Sequence, residues 1–438
     1  MSQVNFIVAS GGRLSGRFRV PGDKSISHRS IMFGSIADGT SHVSGFLQGE
    51  DSLNTLRAFR AMGVNIDGPD DQGQVTIHGV GIDGLQAPQQ DLQLGNSGTS
   101  MRLMSGLLAG QAFDLTLTGD RSLSKRPMKR VTDPLALMGA KVDAAEGGKP
   151  PLKIHGAQSL QGIDYVMPMA SAQVKSCLLL AGIYAHGTTC VTEPATTRDH
   201  TERMLRAFGY SVTSEGHRIC LNGGGRLTAC DIDVPSDISS AAFYMVGASI
   251  AEGSDITLQH VGINPTRIGV IEILRLMGAN IELLNPREVG GEPVADIRVR
   301  SSQLKGIHVP EHLVPLAIDE FPVLFVAAAC AEGQTVVTGA EELRVKESDR
   351  IQVMADGLQE LGVNAEATTD GMVIQGGTIT GGQVHSRDDH RIAMAFTMAG
   401  LKASGSILIE DCENVNTSFP GFVALANDVG ISISTEEV

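Results

Sequence analysis

The chain has 438 residues, 42% of them apolar, and sets 34 Lys and Arg against 49 Asp and Glu, a formal charge of −15. That balance argues against nucleic acid or an anionic membrane surface as the main partner, yet permits a small anionic substrate in a locally basic cleft. The length exceeds what one hydrophobic core usually supports, so two domains are expected.

From the N-terminus, MSQVNFIVASGGRLSG lacks the charged-then-apolar order of a signal peptide. The longest apolar run, LFVAAACA at 324–331, falls far short of the roughly 20 residues that span a bilayer. The six cysteines, Cys177, Cys190, Cys220, Cys230, Cys330 and Cys412, form no CxxC pair and no zinc-type spacing. They read as buried free thiols of a cytoplasmic protein.

Residues 20–30, VPGDKSISHRS, place Lys24, His28 and Arg29 just past a Pro-Gly turn where a helix should begin. A helix N-terminus already carries about half a positive charge. Cations there are expected where the helix end and the basic side chains jointly hold an anion.

A small-residue helical run, then Gly, then a β-like run recurs six times, with pivotal glycines Gly39, Gly110, Gly187, Gly253, Gly333 and Gly405 spaced 71, 77, 66, 80 and 72 residues apart. Each such helix is apolar on most sides and should be buried, with its Gly as a C′ cap before a strand. A second, amphipathic helix ending in Gly recurs in LRAFRAMGVNI, VTDPLALMGAKV, ERMLRAFGYSV, IEILRLMGANI and IQVMADGLQELGVNA. Six units of two helices and three or four strands, divided three and three near residues 231–237, predict two packed α/β domains with a substrate cleft between them.

Polar residues gather where the small-residue helices start. They are Lys24, Ser25 and Arg29; Asn96, Gly98, Thr99 and Arg102; Ser171, Gln173 and Lys175; Ser236, Asp237 and Ser239; Asp319 and Glu320; and Asp388, Asp389, His390 and Arg391. Singly, such residues are more often N-caps than ligands, and Asp237 and Asp389 are candidates for caps alone. As a repeated pattern they predict aligned helix N-termini facing one cleft, a positive field without a metal. SLSKRPMKR adds Lys125, Arg126, Lys129 and Arg130 around a helix start at Pro127, and ELRVKESDRI sets Lys346, Glu347 and Arg350 on one helical face. Asp319 and Glu320, directly before FPVLFVAAACA, are candidates for a partly desolvated carboxylate of raised pKa. No Walker motif, GxGxxG in context or HExxH is present, so nucleotide and zinc chemistry are not expected. The residues alone thus predict a two-domain enzyme for multiply charged phosphates or carboxylates, and leave the reaction open.

PGDKSISHR, LGNSGTSMR, KRPM, ASAQVKS, RVKESDR and DDHRIAM, in this order along essentially the whole chain, resemble the 5-enolpyruvylshikimate-3-phosphate synthase family. SLSKRPM and TRDHTERML look more like its bacterial class II branch. The resemblance implies an α/β enolpyruvyl transferase fold, inverse α/β barrel-like, of two domains with three βαβαββ repeats each. Residues 22–235 would form the first domain, and 1–21 with 236–438 the second. The implied reaction moves the enolpyruvyl group of phosphoenolpyruvate to the 5-hydroxyl of shikimate 3-phosphate, without a cofactor, in a protein that is habitually a monomer. By resemblance, Lys24, Ser25, Arg29, Ser171, Ala172, Gln173, Arg198, Asp319 and Lys346 contact shikimate 3-phosphate. Lys24, Asn96, Gly98, Arg126, Gln173, Arg350 and Arg391 hold phosphoenolpyruvate. Asp319 is implied as the base at the 5-hydroxyl, Glu347 as the acid at the methylene carbon, and Lys24 as an electrostatic clamp.

Ala172, Glu342 and Thr417 depart from the better-known branch, where a serine, an asparagine and a lysine are usual. Two rival readings fit the residues less well. An enolpyruvyl transferase acting on UDP-N-acetylglucosamine usually has a cysteine in the loop matching 118–128, and none is present. A non-catalytic anion binder would not need the acid and base.

Overall fold

The six small-residue runs become helices Lys24–Ile36, Gly98–Ala109, Ala172–Tyr184, Ile238–Ile250, Phe321–Ala329 and His390–Ala399 in the computed structural model, which describes residues 4–437. Their side chains are buried on nearly every face, as a run without a polar stripe requires. Five have a side-chain N-cap: Asp23, Ser97, Ser171, Asp237 and Asp389 each accept from a backbone N–H of the first turn.

The glycine caps divide the two helix families. In the amphipathic set, helices such as Glu50–Ala61 and Lys129–Leu137 end two residues before Gly63 and Gly139, whose φ of +87° and +91° lie where a side chain would be strained. In the buried set the expected C′ cap is corrected. Helix Lys24–Ile36 passes through an extended Ala37 into strand Ala37–Ser44, and Gly39 lies within that strand. Gly187 and Gly253 likewise fall in the turn beyond C′.

The chain forms two compact units. One comprises Gly22–Val234 with Val289–Glu292, and the other the residues up to Pro21, Pro235–Glu288 and those from Pro293 on. Each has its own core and three sheets. In the 22–234 unit, two repeats read strand–helix–strand–helix–strand–strand. Leu92–Gln93, Leu115–Thr118, Lys149–His155 and Lys141–Ala145 form one sheet, and Asp164–Val166, Thr188–Thr192, Arg218–Asn222 and Val212–Glu215 another. In the third, the leading strand comes from far along the chain, as Leu227–Thr228 and Ile232–Asp233 pair in parallel with Ala37–Ser44. The C-terminal unit does the same with its N-terminal segment. Ser15–Phe18 pairs in parallel with Asp255–Gly262, and Val4–Val8 lies between Ile407–Glu410 and Ile433–Glu437. Leu227–Thr228 and Ser15–Phe18 are thus the outer strands of their sheets, and Val4–Val8 is an inner one. The architecture is mixed α/β, built from buried helices and repeated small sheets.

The expectation of six free thiols is corrected. Cys190 and Cys220 face each other on antiparallel strands with Cα atoms 4.1 Å apart and form a disulfide. Their separation of 30 residues carried no signal; the strand register brings them together. Among the described residues no helix is long and apolar enough to cross a membrane, and no group of His, Cys, Asp and Glu could hold a metal ion.

Candidate active site

In the 22–234 unit the first turns of three buried helices meet. The chain leaves a Pro-Gly turn, Asp23 caps, and Lys24 is the first helical residue, paired with Asp51 on helix Glu50–Ala61. One turn on, the buried Arg29 donates to Ser25 O at 2.9 Å, to Thr201 Oγ1 at 2.8 Å and to Ser176 Oγ at 3.0 Å. Burial lowers its pKa to about 10, opposed by Glu202 and Asp23 and reinforced by the neighbouring charge of Arg198. Arg29 thus stays protonated at neutral pH with a second guanidinium beside it. His28 is held neutral, well below the usual imidazole range, by burial and then by the charges of Lys24 and Arg29.

The Gly98 helix supplies the next contacts. Arg102 donates to Gln173 Oε1, and Gln173 Nε2 donates to Thr99 Oγ1 at 3.0 Å, which joins this helix to the one starting at Ala172. Arg126 Nη2 donates to Asn96 Oδ1 at 2.6 Å, and Asn96 in turn donates to Asp120 at 2.8 Å. A Cβ on Gly98 would stand 3.1 Å from Arg102 Nη1 and 3.3 Å from Arg126 Nη1, so the glycine lets both guanidiniums close on the helix start. Ser171 is the N-cap of its helix, 3.3 Å from Val174 N, with Ala172 as the first helical residue. Of the SLSKRPMKR cluster, Arg126 joins this group while Lys125 and Lys129 are exposed. The helix expected at Pro127 begins at Lys129. Lys175, one of the polar residues at a helix start, is instead fully buried against Glu193 and Glu202.

The C-terminal unit gathers its own helix starts. Asp319 lies in a tight turn, Ile318–Glu320, and its carboxylate is 3.5 Å from both Lys346 Nζ and Arg350 Nη1. This buried carboxylate thus lies between two cations. Glu320 accepts from Ser239 Oγ and lies 3.8 Å from Arg391 Nη1. Arg391 also donates to Asp319 O at 3.0 Å. Arg350, only 1% exposed at its side chain, donates to Asp389 at 2.8 Å and to Glu347 Oε2 at 2.6 Å. Burial alone would lower its pKa, but Asp389, Glu347 and Asp319 raise it overall. For Asp389, burial pushes upward and the Arg350 charge prevails, leaving the carboxyl below its ordinary value.

Lys346, Glu347 and Arg350 do not share a helical face. A 3-10 helix spans Glu341–Val345, Lys346 is extended, and the α-helix begins at Arg350 behind its Asp349 cap. The three still converge because that bend turns Lys346 and Arg350 toward the same carboxylate. Arg387 and Asp388 have φ of 56° and 59°, and this left-handed pair swings Asp389 into its double role as helix cap and Arg350 partner. Asp237 caps its helix, accepting from Ser239 N at 2.8 Å, and also accepts from Arg267 at 3.1 Å. Of the departing positions, Glu342 is 4.0 Å from Lys346, and the Thr417 hydroxyl donates to Asn414 O at 2.6 Å.

Sequence reasoning missed the supports: Asp23, Asp51, Thr201, Ser176 and Asp120. An Asp directly before a helical run is a readable N-cap signal for Asp23. The others come from other elements and carry none.

Taken together, the two groups can hold phosphate or carboxylate anions at one set of helix starts and keep carboxylates fixed against cations at the other. Residues 8–425 match the family described as EPSP synthase (3-phosphoshikimate 1-carboxyvinyltransferase). A 3-phosphoshikimate 1-carboxyvinyltransferase of Alkalilimnicola ehrlichii is 68% identical over 98% of this chain and 97% of its own. One of Methylococcus capsulatus is 67% identical over 98% of both. The solved EPSP synthase of Acinetobacter baumannii is 61% identical over the whole of both chains, with a TM-score of 0.90. The enolpyruvyl transferase NikO of Streptomyces tendae, at 15% identity and a TM-score of 0.79 over both full chains, shares the fold. By sequence along nearly its whole length, the chain belongs to the EPSP synthase (3-phosphoshikimate 1-carboxyvinyltransferase) family.

Proposed function

We propose that the protein transfers the enolpyruvyl group of phosphoenolpyruvate to the 5-hydroxyl of shikimate 3-phosphate, as a monomer of the class II branch working in the cytoplasm without a cofactor. The observation that supports the reading is the buried Arg29, held by Ser25, Thr201 and Ser176 on the helix whose first residue is Lys24, in a chain of this family. Lys24, Ser25, Arg29, Ser171, the Ala172 backbone, Gln173, Arg198, Asp319 and Lys346 contact shikimate 3-phosphate. Lys24, Asn96, Gly98, Arg126, Gln173, Arg350 and Arg391 hold phosphoenolpyruvate.

In the first step Asp319 takes the proton of the 5-hydroxyl as its oxygen bonds to C2 of phosphoenolpyruvate, and Glu347 delivers a proton to the methylene carbon. The tetrahedral intermediate then returns a proton from the new methyl group to Glu347 as the C2–O bond to phosphate breaks, the departing phosphate takes the proton from Asp319, and the enol ether forms. Lys24 clamps the negative charge throughout.

The test is phosphate release from purified protein given phosphoenolpyruvate, with and without shikimate 3-phosphate, in EDTA. Release only with both substrates, unchanged by the chelator, is the expected result. No release with both would leave an anion-binding protein and remove the transferase.

A further inference from the structure

Behind Arg29 lies a buried ion cluster to which the reaction assigns no part. Lys175, Glu193 and Glu202 have side chains 1%, 4% and 2% exposed, with Lys175 Nζ 3.1 Å from Glu193 Oε2 and 2.8 Å from Glu202 Oε1. Its third contact is the carbonyl of Thr197 at 3.5 Å, so the three donors of the ammonium face three acceptors. Glu193 accepts in turn from the backbone N–H and the hydroxyl of Thr197. One ammonium therefore ties both ends of the turn 193–197, which leads from strand Thr188–Thr192 to helix His200–Ala207.

Two further facts connect the cluster to the anion site. Arg198 directly follows the tethered Thr197 and is close enough to Arg29 for its charge to oppose protonation there. The neighbours of the ion pair form a parallel link: Thr201, beside Glu202, donates to Ser176, beside Lys175, at 2.7 Å, and both hydroxyls accept from Arg29. A buried ion pair of this sort is weak evidence for stability, since well-packed apolar residues often serve as well. What apolar residues would not provide is a fixed carbonyl and N–H at Thr197, and so a fixed backbone origin for Arg198.

We propose that Lys175 is a positioning residue for shikimate 3-phosphate, holding the 193–197 turn through Glu193 and Thr197 so that Arg198, the next residue, presents its guanidinium to an anionic group of that substrate. The inference rests on the transferase reading above.

The test is a mutant cycle in the full-length protein with Lys175→Met, Arg198→Ala and the double variant, following kcat, KM for each substrate and thermal midpoint. Lys175→Met should raise KM for shikimate 3-phosphate about tenfold or more, leave KM for phosphoenolpyruvate at saturating shikimate 3-phosphate within about twofold, and change kcat little. The double variant should be no worse than Arg198→Ala within about twofold, because Lys175 acts through Arg198. Losses that multiply, or a KM change shared equally by both substrates, would overturn the positioning role. Should Lys175→Met not fold, Thr197→Val, which removes the hydroxyl bonded to Glu193, takes its place in the same cycle with the same expected and overturning results. A wild-type protein that does not turn over the two substrates would sink the transferase reading and this inference with it, whereas normal wild-type turnover with multiplying losses sinks this inference alone.

Discussion

Both units gather cations at helix starts, but the cations meet different partners. Around Arg29 the hydrogen bonds run to two hydroxyls and a backbone carbonyl, and the charge of Arg198 lies near enough to oppose its own. Around Arg350 they run to three carboxylates, those of Asp389, Glu347 and Asp319. Protonation responds in opposite senses. Arg29 is lowered to about 10, by burial first, while Arg350 is raised because its carboxylates outweigh burial. A cation among neutral acceptors keeps its field for an incoming anion. A cation among carboxylates has part of that field taken up in fixing their positions, which suits proton transfer beside a bound anion. Lys24, paired with Asp51, is the member of the first group that resembles the second.

The largest effect should come from removing a proton carrier in the C-terminal unit. Asp319→Asn keeps the shape and loses the base, and should lower kcat by about 10²–10⁴-fold while shikimate 3-phosphate affinity by calorimetry moves only severalfold. An affinity loss as large as the kcat loss would make Asp319 a binding group and erase the contrast. Lys24→Met should also abolish measurable turnover. Because Asp51 would then lose its partner, a lower thermal midpoint is expected as well, and Lys24→Met with Asp51→Asn should recover the midpoint without recovering turnover.

Next in size is the reverse experiment in the 22–234 unit. Arg29→Met should raise KM for shikimate 3-phosphate by about 30-fold or more, the scale of a lost charge-assisted contact, with a smaller change in kcat. Wild-type affinity for this substrate should also weaken with added salt, and less steeply once Arg29 is gone. A variant whose kcat falls as far as its KM rises would show that the two groups do not divide binding from chemistry.

Much of this contrast could be read from the sequence because the repeat places polar residues at the same point six times. Lys24, Arg29 and Arg391 stand out there, since a helix start has no local use for a positive charge. What escaped was whatever depends on a bend or on strand register. Lys346, Glu347 and Arg350 meet through a 3-10 turn and an extended residue where helical periodicity predicted one face. Cys190 and Cys220 meet through an antiparallel register that no spacing rule encodes. Lys175 was read as a helix-start cation, but its position one turn into the helix carries it to the core, toward carboxylates from two later elements. Leading strands borrowed from residues 227–233 and 15–18 were equally invisible, being short and distant in the chain.

The smallest effect concerns pH and also separates the units. His28 is buried and held neutral, with Nδ1 2.8 Å from Thr55 Oγ1 and Nε2 without a hydrogen-bond partner among the described residues. Unfolded, it would take up a proton below about pH 6.5. The unfolded state then binds more protons than the folded one, so stability is fully present above that pH and falls as the solution is acidified toward the lower folded value. The loss should approach about 1.4 kcal/mol per pH unit. Asp389 also has a depressed folded pKa, but its contribution is retained until the pH drops below the unfolded carboxylate value of about 3.9. Between pH 6.5 and 5.5, therefore, the group in the 22–234 unit titrates while Asp389 stays ionised. Urea denaturation at pH 7.5, 6.5 and 5.5 should show wild type losing about 1 kcal/mol more than His28→Gln over the lower interval and only about 0.3 kcal/mol more over the upper one. Equal losses over the lower interval would mean that His28 is protonated in the folded protein, and that the positive field of Lys24 and Arg29 is weaker at this helix start than their placement implies.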